Sequence, residues 1–278
     1  CIMLKKSCTF ECMEKYFSGS ELYGNAFSLE EIEAWYRDEE EAYANLGSGD
    51  KESYSYSYEN YNLINGFNSV KHKIGSDVSV LGLGSAYGYE FKPIIDSIKQ
   101  ITILDPSEQF VVNDFMGKSI NFIKLSIKGD MPFEDDSFDV ITSFGTMHHI
   151  PNVEHVISEM ARVLKPNGYF LLREPIISMG DWRNPRVGLT SRERGIPFDL
   201  MKGFIAKNNL KIASKSFCFS PFSSRILKIV GVKQFDKAWF ARLDKFLSYI
   251  FSFRLVYHRK NMIDNLAPTN VFWVLKKA

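Results

Sequence analysis

The stretch from Val78 to Gly88 constrains the fold of this chain more than any other. An apolar run is followed by a turn of small residues, namely Gly82, Gly84, Ser85, Ala86 and Gly88. Small residues let the backbone reach positive φ and approach a ligand closely. The pattern predicts a strand that turns into a helix whose first N–H groups face a ligand. The alternative is a tight turn that binds nothing.

An acid follows at the distance expected for the next strand of a βαβ unit. Asp105 ends the run Ile-Thr-Ile-Leu and lies 23 residues after Gly82. A carboxylate there can accept hydrogen bonds from both hydroxyls of a ribose. Tyr87 stands where a dinucleotide fingerprint would have its third glycine, so no pyrophosphate cradle is evident. The two features together predict a pocket for an adenosine-containing cofactor.

Strand and helix patterns alternate through the middle of the chain, which is typical of a parallel α/β sheet with right-handed crossovers. A helix is predicted over residues 153–165, where apolar residues repeat at helical spacing. Ligands of such sheets lie beyond the carboxyl ends of the strands. Strands are predicted near 78–82, 101–105, 121–125, 138–144, 168–174, 211–217 and 270–275.

Three further motifs follow in a fixed order. They are Gly129-Asp-Met-Pro-Phe-Glu-Asp-Asp-Ser-Phe-Asp139, Thr146-Met-His-His149 and Glu159-Met-Ala-Arg-Val-Leu-Lys-Pro-Asn-Gly168. From about residue 76 to 176 the chain resembles the class I, Rossmann-like S-adenosylmethionine-dependent methyltransferases, in particular the ubiquinone/menaquinone-type small-molecule group. The resemblance implies an α/β fold with a seven-stranded, mostly parallel sheet and helices on both faces.

The resemblance also implies S-adenosyl-L-methionine as the cofactor and gives the motif residues their roles. The small residues at 82, 84, 85, 86 and 88 would approach its methionine part, and Asp105 with Pro106 its ribose. Asp130 would contact the adenine amino group, with Met131 against the ring, and Phe144 and Gly145 would lie beside the sulfonium. One departure is plain. The family's acid before the first glycine is missing, so cofactor affinity would be lower or another group would serve.

Two residues are candidates for a catalytic base. The resemblance places His149 against the cofactor or the acceptor, with His148 on the acceptor side, and Glu174 ends the fifth strand as a second candidate. A positioned imidazole suits deprotonation of an oxygen or nitrogen nucleophile. The alternative is a histidine that only packs or bonds to backbone. No metal site is predicted.

Four arginines follow the fifth strand within one loop. They are Arg183, Arg186, Arg192 and Arg194, and they could bind an anionic substrate through paired hydrogen bonds. The alternative, of equal weight, is a set of salt bridges that includes Asp181 and Glu193. The glycines and Trp182 indicate a structured loop.

Four segments are predicted. Residues 1–66 form a helical and aromatic extension, with a capping box at Ser28 to Glu31 and a tyrosine-rich stretch that either packs or lines a substrate mouth. Residues 67–219 form the cofactor-binding core, 220–268 a basic aromatic insertion and 269–278 the last strand. Between 228 and 260 the net charge is +6. A lid or dimer face is favoured for this insertion over a membrane-surface helix.

Composition argues against some classes of function. A net charge of +1 argues against a nucleic-acid binder. Four scattered cysteines form no disulfide framework, which favours a cytoplasmic protein, and no signal or membrane-spanning segment is expected. The resulting hypothesis is methyl transfer to a small-molecule or glycan-type acceptor, with O-methylation favoured. A homodimer is possible, and peripheral membrane contact is not favoured. The competing hypothesis is a non-catalytic cofactor-binding or regulatory domain.

Overall fold

A single mixed sheet organises the chain. The computed structural model describes residues 10–45, 56–182, 184–223 and 237–278. The strand order is β3-β4-β2-β1-β5-β6-β8-β7. The strands are β1 (Val78–Leu83), β2 (Ile98–Asp105), β3 (Asp114–Phe115), β4 (Lys118–Lys124), β5 (Phe138–Phe144), β6 (Leu164–Pro175), β7 (Leu210–Cys218) and β8 (Asn270–Lys277).

The α/β class and the mostly parallel sheet are confirmed. Strands β4, β2, β1, β5 and β6 run parallel, and β8 inserts antiparallel between β6 and β7. The sheet has eight strands rather than the predicted seven, because Asp114 and Phe115 pair with the start of β4 through a tight turn at Gly117, where φ is +77°. A strand of two residues is too short to show an alternating pattern in the sequence.

Helices cover both faces of the sheet. The capping box is confirmed at the second helix, where the Ser28 N–H donates to Glu31 Oε2 at 2.9 Å and the Glu31 N–H donates to Ser28 Oγ at 3.4 Å. The α-helices whose bounds lie within the described residues are α1 (Phe10–Phe17), α2 (Leu29–Asn45), α3 (Glu59–Asn62), α4 (Asn68–Val70), α5 (Val153–Val163), α6 (Phe198–Lys207) and α7 (Ala238–Ile250), and a π-helical turn (Leu63–Phe67) joins α3 to α4.

The segment after β1 is a 3-10 helix (Tyr89–Ser97) rather than a long α-helix. Pro93 lies inside it and lacks the N–H that an α-helical hydrogen bond would need. The turn before it uses left-handed backbone at Gly88, with φ of +76°. The chain therefore folds back close to the end of β1, and Glu90 is carried beneath the glycine turn.

The N-terminal helices pack beside the carboxyl edge of the sheet. Trp35 is fully buried and its indole N–H donates to the carbonyl of His149 at 2.7 Å. It belongs to an aromatic cluster with Tyr23, Phe17 and Trp182. The predicted extension is thus joined to the loop that follows β6, although its boundary at residue 66 stays a prediction.

The insertion contributes α7, which packs on the edge strand β7. Its residues 224–236 lie outside the described part of the chain. Within the described ranges, no helix combines the length and the apolar character needed to cross a membrane. The cytoplasmic location stays a prediction.

Candidate functional site

The glycine turn lies at the carboxyl edge of the sheet, as predicted. The Gly84 N–H donates to the Leu104 carbonyl at 2.9 Å, which brings the turn against the end of β2. Gly84 has φ of +65°, and a Cβ there would lie 2.3 Å from Thr146 Oγ1. No other residue type fits this close approach between the ends of β1 and β5.

Asp105 is buried at the tip of β2. Its Oδ1 accepts a hydrogen bond from the Ser107 N–H at 2.9 Å, and its side chain has no cation beside it among the described contacts. Burial raises the pKa of Asp105 to about 6, against the opposing effect of the backbone N–H groups of Ser107 and Ala86. A ligand that donates hydroxyl hydrogen bonds would favour the carboxylate form.

A cavity of ≈ 290 Å³ opens beside the glycine turn. It brings together elements that are far apart in sequence, and the tyrosine-rich stretch forms one wall. The lining residues are Tyr56, Ser57, Tyr58, Gly84, Ser85, Glu90, Phe144 and Arg173. Phe144 was predicted to line this region, and Tyr56 and Tyr58 fit the alternative of a substrate mouth.

Glu90 is a buried acid in the cavity wall. Its Oε1 accepts hydrogen bonds from Ser85 Oγ and Thr142 Oγ1, both at 2.6 Å. Burial raises the pKa of Glu90, while the two hydroxyl donors and the more distant charge of Arg173 lower it. Among the described residues, the Glu90 side chain has only neutral hydrogen-bond partners, and a cation in the cavity would stabilise its carboxylate form.

Arg173 forms another wall of the same cavity. Its guanidinium lies 4.4 Å from the ring centroid of Tyr58, and Nη1 donates to Asn62 Oδ1 at 2.9 Å. Asn62 ends α3, directly before the π-helical turn. The arginine is 5 % exposed and so presents a fixed positive charge to the cavity.

Glu174 holds the loop after β5. Its Oε1 accepts the N–H groups of Thr146 at 3.0 Å and Met147 at 2.9 Å, and its Oε2 accepts the His148 N–H at 3.3 Å. The side chain is fully buried. Its predicted role as a base stays a prediction, whereas the contacts present are those of an anchor for backbone.

His148 lies between two carboxylates. Its Nδ1 is 2.9 Å from Glu174 Oε2 and its Nε2 is 3.5 Å from Glu193 Oε1. Burial opposes the charge on the ring, but the hydrogen bonds to Glu174 and Glu193 outweigh it and raise the pKa of His148 to about 9. The ring is therefore an imidazolium at neutral pH.

His149 is oriented by an acid from the N-terminal helices. Its Nδ1 lies 3.0 Å from Glu39 Oε2, and Glu39 Oε1 accepts the Thr190 hydroxyl at 2.6 Å. With the proton on Nδ1, Nε2 carries the lone pair that a base needs. Sequence reasoning missed Glu39, because nothing in α2 distinguishes it from the neighbouring acids.

Donor atoms of His148, His149 and Glu193 lie within 4.8 Å of one another, a spacing that a metal ion could use. The imidazolium of His148 offers no lone pair in its protonated form, and its two N–H groups already face Glu174 and Glu193. The arrangement fits an ion-pair cluster, and the expectation of no metal site stays a prediction.

The loop arginines bind the protein itself. Arg186 donates to the carbonyls of Met179, Thr190 and Glu193, and Arg192 Nε donates to Asp38 Oδ2 at 2.5 Å. Arg183 lies outside the described residues.

Arg194 is fully buried, and it donates to the carbonyls of Tyr23, His148, Ile150 and Pro151. These contacts match the structural alternative for the loop more closely than a substrate site.

The remaining predicted cofactor residues differ in exposure. Asp130 has a 59 % exposed side chain whose Oδ1 lies 2.8 Å from His155 Nε2, while Met131 is buried. Pro106 is exposed beside Asp105. Gly145, with φ of +73°, donates its N–H to the Arg173 carbonyl at 2.8 Å. The structure therefore brings the turn, Phe144 and Gly145 to one edge.

Two cavity residues were missed by sequence reasoning, and both left a signal. Glu90 is an acid that directly follows a turn of small and aromatic residues, two residues after Gly88. Arg173 is a charge that ends a buried apolar strand. Charged side chains in such positions are costly unless they serve a site or a network.

Part of the chain is similar to known methyltransferases. Residues 81–172 match a family described as a methyltransferase domain. A sterol 4-C-methyltransferase of Caenorhabditis elegans is 31 % identical over 112 residues, which cover 38 % of this chain and 34 % of that protein. A ubiquinone/menaquinone biosynthesis C-methyltransferase of Brucella anthropi is 35 % identical over 74 residues, covering 26 % and 27 %.

The chain thus spans about a third of the length of the curated relatives it matches. A crystal structure from Listeria monocytogenes, assigned as an S-adenosylmethionine-dependent methyltransferase, superposes with a TM-score of 0.50 at 14 % identity, covering 75 % of this chain and 96 % of that one. The structural likeness confirms the fold. The family match over residues 81–172 supports the resemblance stated from the motifs.

Proposed function

We propose that this chain, which contains a methyltransferase domain at residues 81–172, transfers a methyl group from S-adenosylmethionine to a small-molecule or saccharide acceptor, with oxygen as the favoured acceptor atom. The domain implies the cofactor. The domain match covers residues 81–172, so the acceptor and the activity of the whole protein are proposed here. The relatives named above act, by their names, on sterols and quinone precursors, so the domain type occurs with several acceptors.

One observation carries the proposal. The cavity beside the glycine turn holds a buried carboxylate, Glu90, and a fixed guanidinium, Arg173. The amino-acid end of S-adenosylmethionine has an ammonium and a carboxylate, which are complementary to these two charges. Asp105, at the neighbouring strand end, would hold the ribose hydroxyls. Glu90 would thus serve in place of the acid that the glycine motif lacks, where Val80 is buried instead.

The cofactor supplies an electrophilic methyl group, so the protein's main task is to hold and orient the reactants. Arg173, Phe144, Tyr56 and Tyr58 line the cavity and would help to hold the cofactor in place. For a hydroxyl acceptor, His149 Nε2 would accept the hydroxyl proton, and Glu39 would stabilise the resulting imidazolium through Nδ1. Glu174 would position the backbone of the loop that carries His149.

The role of Glu90 is tested with two ligands that share a nucleoside. S-Adenosylhomocysteine carries the amino-acid end, and 5′-methylthioadenosine lacks it. We expect Glu90→Gln to weaken binding of the first at least about tenfold and of the second less than about twofold, because only the first has an ammonium. Isothermal calorimetry measures both, and Glu134→Gln, an exposed acid, is the matched control.

Equal losses for the two ligands would contradict this assignment while leaving the cofactor proposal intact. If the unaltered protein binds neither S-adenosylmethionine nor its product, the function itself is wrong.

His149→Ala tests the proposed base. Turnover should fall about 10²- to 10⁴-fold with cofactor affinity little changed, because a positioned base acts only in the chemical step. An acceptor screen with labelled cofactor provides the assay. If the altered protein keeps full turnover, positioning alone accounts for the rate. Cofactor binding without transfer to any acceptor would favour the non-catalytic domain, which the missing motif acid also supports.

A further inference from the structure

Helix α7 buries polar side chains against the protein and exposes apolar ones. The side that packs on the protein carries polar residues, since Asp244 and Ser248 are fully buried beside Phe240 and Ala241. Asp244 accepts hydrogen bonds from the Tyr61 hydroxyl at 2.5 Å and from the N–H groups of Phe219 and Ser220, both at 2.8 Å. A polar hub therefore fixes the orientation of the helix.

The opposite side of α7 is apolar and faces outward. Its outer face consists of side chains that are 45 % to 77 % exposed, namely Trp239 53 %, Phe246 61 %, Tyr249 77 %, Ile250 45 % and, just past the helix, Phe253 74 %. Their spacing along the chain places them on one stripe of a 3.6-residue helix. Single exposed apolar residues are ordinary, but a contiguous aromatic stripe marks a binding surface.

Within residues 237–266 the exposed charges around this outer face have one sign, and the exposed Asp199, which lines a pocket together with Phe253, lies 3.6 Å from Lys202 Nζ. Lys237, Arg242, Arg254 and Lys260 are exposed. The acids between residues 237 and 266 are Asp244 and Asp264, and both are buried. Arg254 is half exposed even though its Nε lies 3.1 Å from Asp264 Oδ1. The partner of this face must therefore be apolar and negatively charged.

We propose that the outer face of α7 binds the surface of an anionic phospholipid membrane. Aromatic side chains would enter the boundary between headgroups and acyl chains, and the basic side chains would meet the lipid phosphates. A second copy of this chain fits less well, because a two-fold contact would set like charges against each other. The proposal does not depend on the function proposed above.

The polar hub connects this face to the cavity. Asp244 binds Tyr61 in α3, and the next residue, Asn62, binds Arg173. A protein docked through α7 would therefore hold the cavity wall at a fixed position relative to the membrane.

The test is co-sedimentation of the full chain with vesicles. One set is pure phosphatidylcholine, and the other contains about one-third phosphatidylglycerol. Binding to the anionic set at about 0.1 M salt is expected, with a large loss at about 1 M, where the Debye length falls from ~10 to ~3 Å. Trp239 is the exposed one of the chain's four tryptophans, so its fluorescence should shift to the blue on binding.

The Phe246→Ser/Phe253→Ser double variant should lose at least about tenfold in vesicle affinity without loss of thermal stability, because both side chains are exposed. Met116→Ser, a 55 % exposed residue in the β3–β4 turn at the opposite edge of the sheet, is the control and should bind normally. The proposal is wrong if the unaltered protein does not bind anionic vesicles or if the double variant binds them equally well. It is also wrong if the unaltered protein is a dimer and the double variant is a monomer.

Discussion

Two groups of charges lie at the carboxyl edge of the sheet, and they differ in what satisfies them. In the cavity, Glu90 meets two hydroxyls and Arg173 one amide. In the cluster around His148, the charges of Glu174, Glu193 and Arg194 meet N–H groups, the imidazolium and carbonyls of the protein itself. Charges that the protein satisfies itself stabilise the fold, and charges that it leaves to the cavity can recognise a ligand.

Arg194→Met tests the structural side of this comparison with the largest expected effect. Four carbonyls, three of them in buried contacts, would each lose a hydrogen bond from the guanidinium, so the free energy of unfolding should fall by about 3 to 5 kcal/mol. Urea denaturation measures it. Arg192→Met, which removes a partly exposed ion pair with Asp38, should cost about 1 kcal/mol or less. If the two variants lose similar amounts of unfolding free energy, the buried arginine stabilises the fold no more than the partly exposed one.

The charge of His148 gives the cluster a pH dependence. Its pKa is raised from 6.5 to about 9, so its contribution to stability is present below pH 6.5 and is lost as pH rises through 9. The free energy of unfolding should fall by about 3 kcal/mol across this window. Denaturation curves measured at several pH values test this, and His148→Asn should flatten the slope. If the free energy of unfolding of His148→Asn still falls with pH, another group causes the pH dependence.

Asp105→Ala tests the ligand side and has the smallest expected effect. Cofactor affinity should fall at least about tenfold, since charge-assisted hydrogen bonds to the ribose are lost. Because the pKa of Asp105 is raised to about 6, affinity in the unaltered protein should also decline below pH 6. Calorimetry measures both effects, with the exposed Asp96→Ala as control. Unchanged affinity would remove Asp105 from the site.

The sequence predicted features that depend on local pattern. The glycine turn, the strand ending at Asp105 and the capping box at Ser28 each follow from neighbouring residues, and all three appear in the structure. The four-arginine loop shows the limit of this reasoning. Its arginines left open an anionic substrate or salt bridges within the loop, whereas Arg186 donates to backbone carbonyls of the loop itself and Arg194 to carbonyls of distant segments. Those carbonyls have no sequence signature.

The sequence by itself determined the fold class, because apolar periodicity and turn residues act over short distances and their order fixes the sheet edge. The resemblance of its motifs to a methyltransferase family implied the cofactor. The tertiary structure decided which distant side chains meet at the carboxyl edge of the sheet. Glu39 reaches His149 across 110 residues, and Arg173 reaches Asn62 across 111. It also decided that the aromatic side of α7 faces outward, since burial of Asp244 by Tyr61 and Phe219 sets the helix orientation. Such choices depend on which distant groups can satisfy a buried charge.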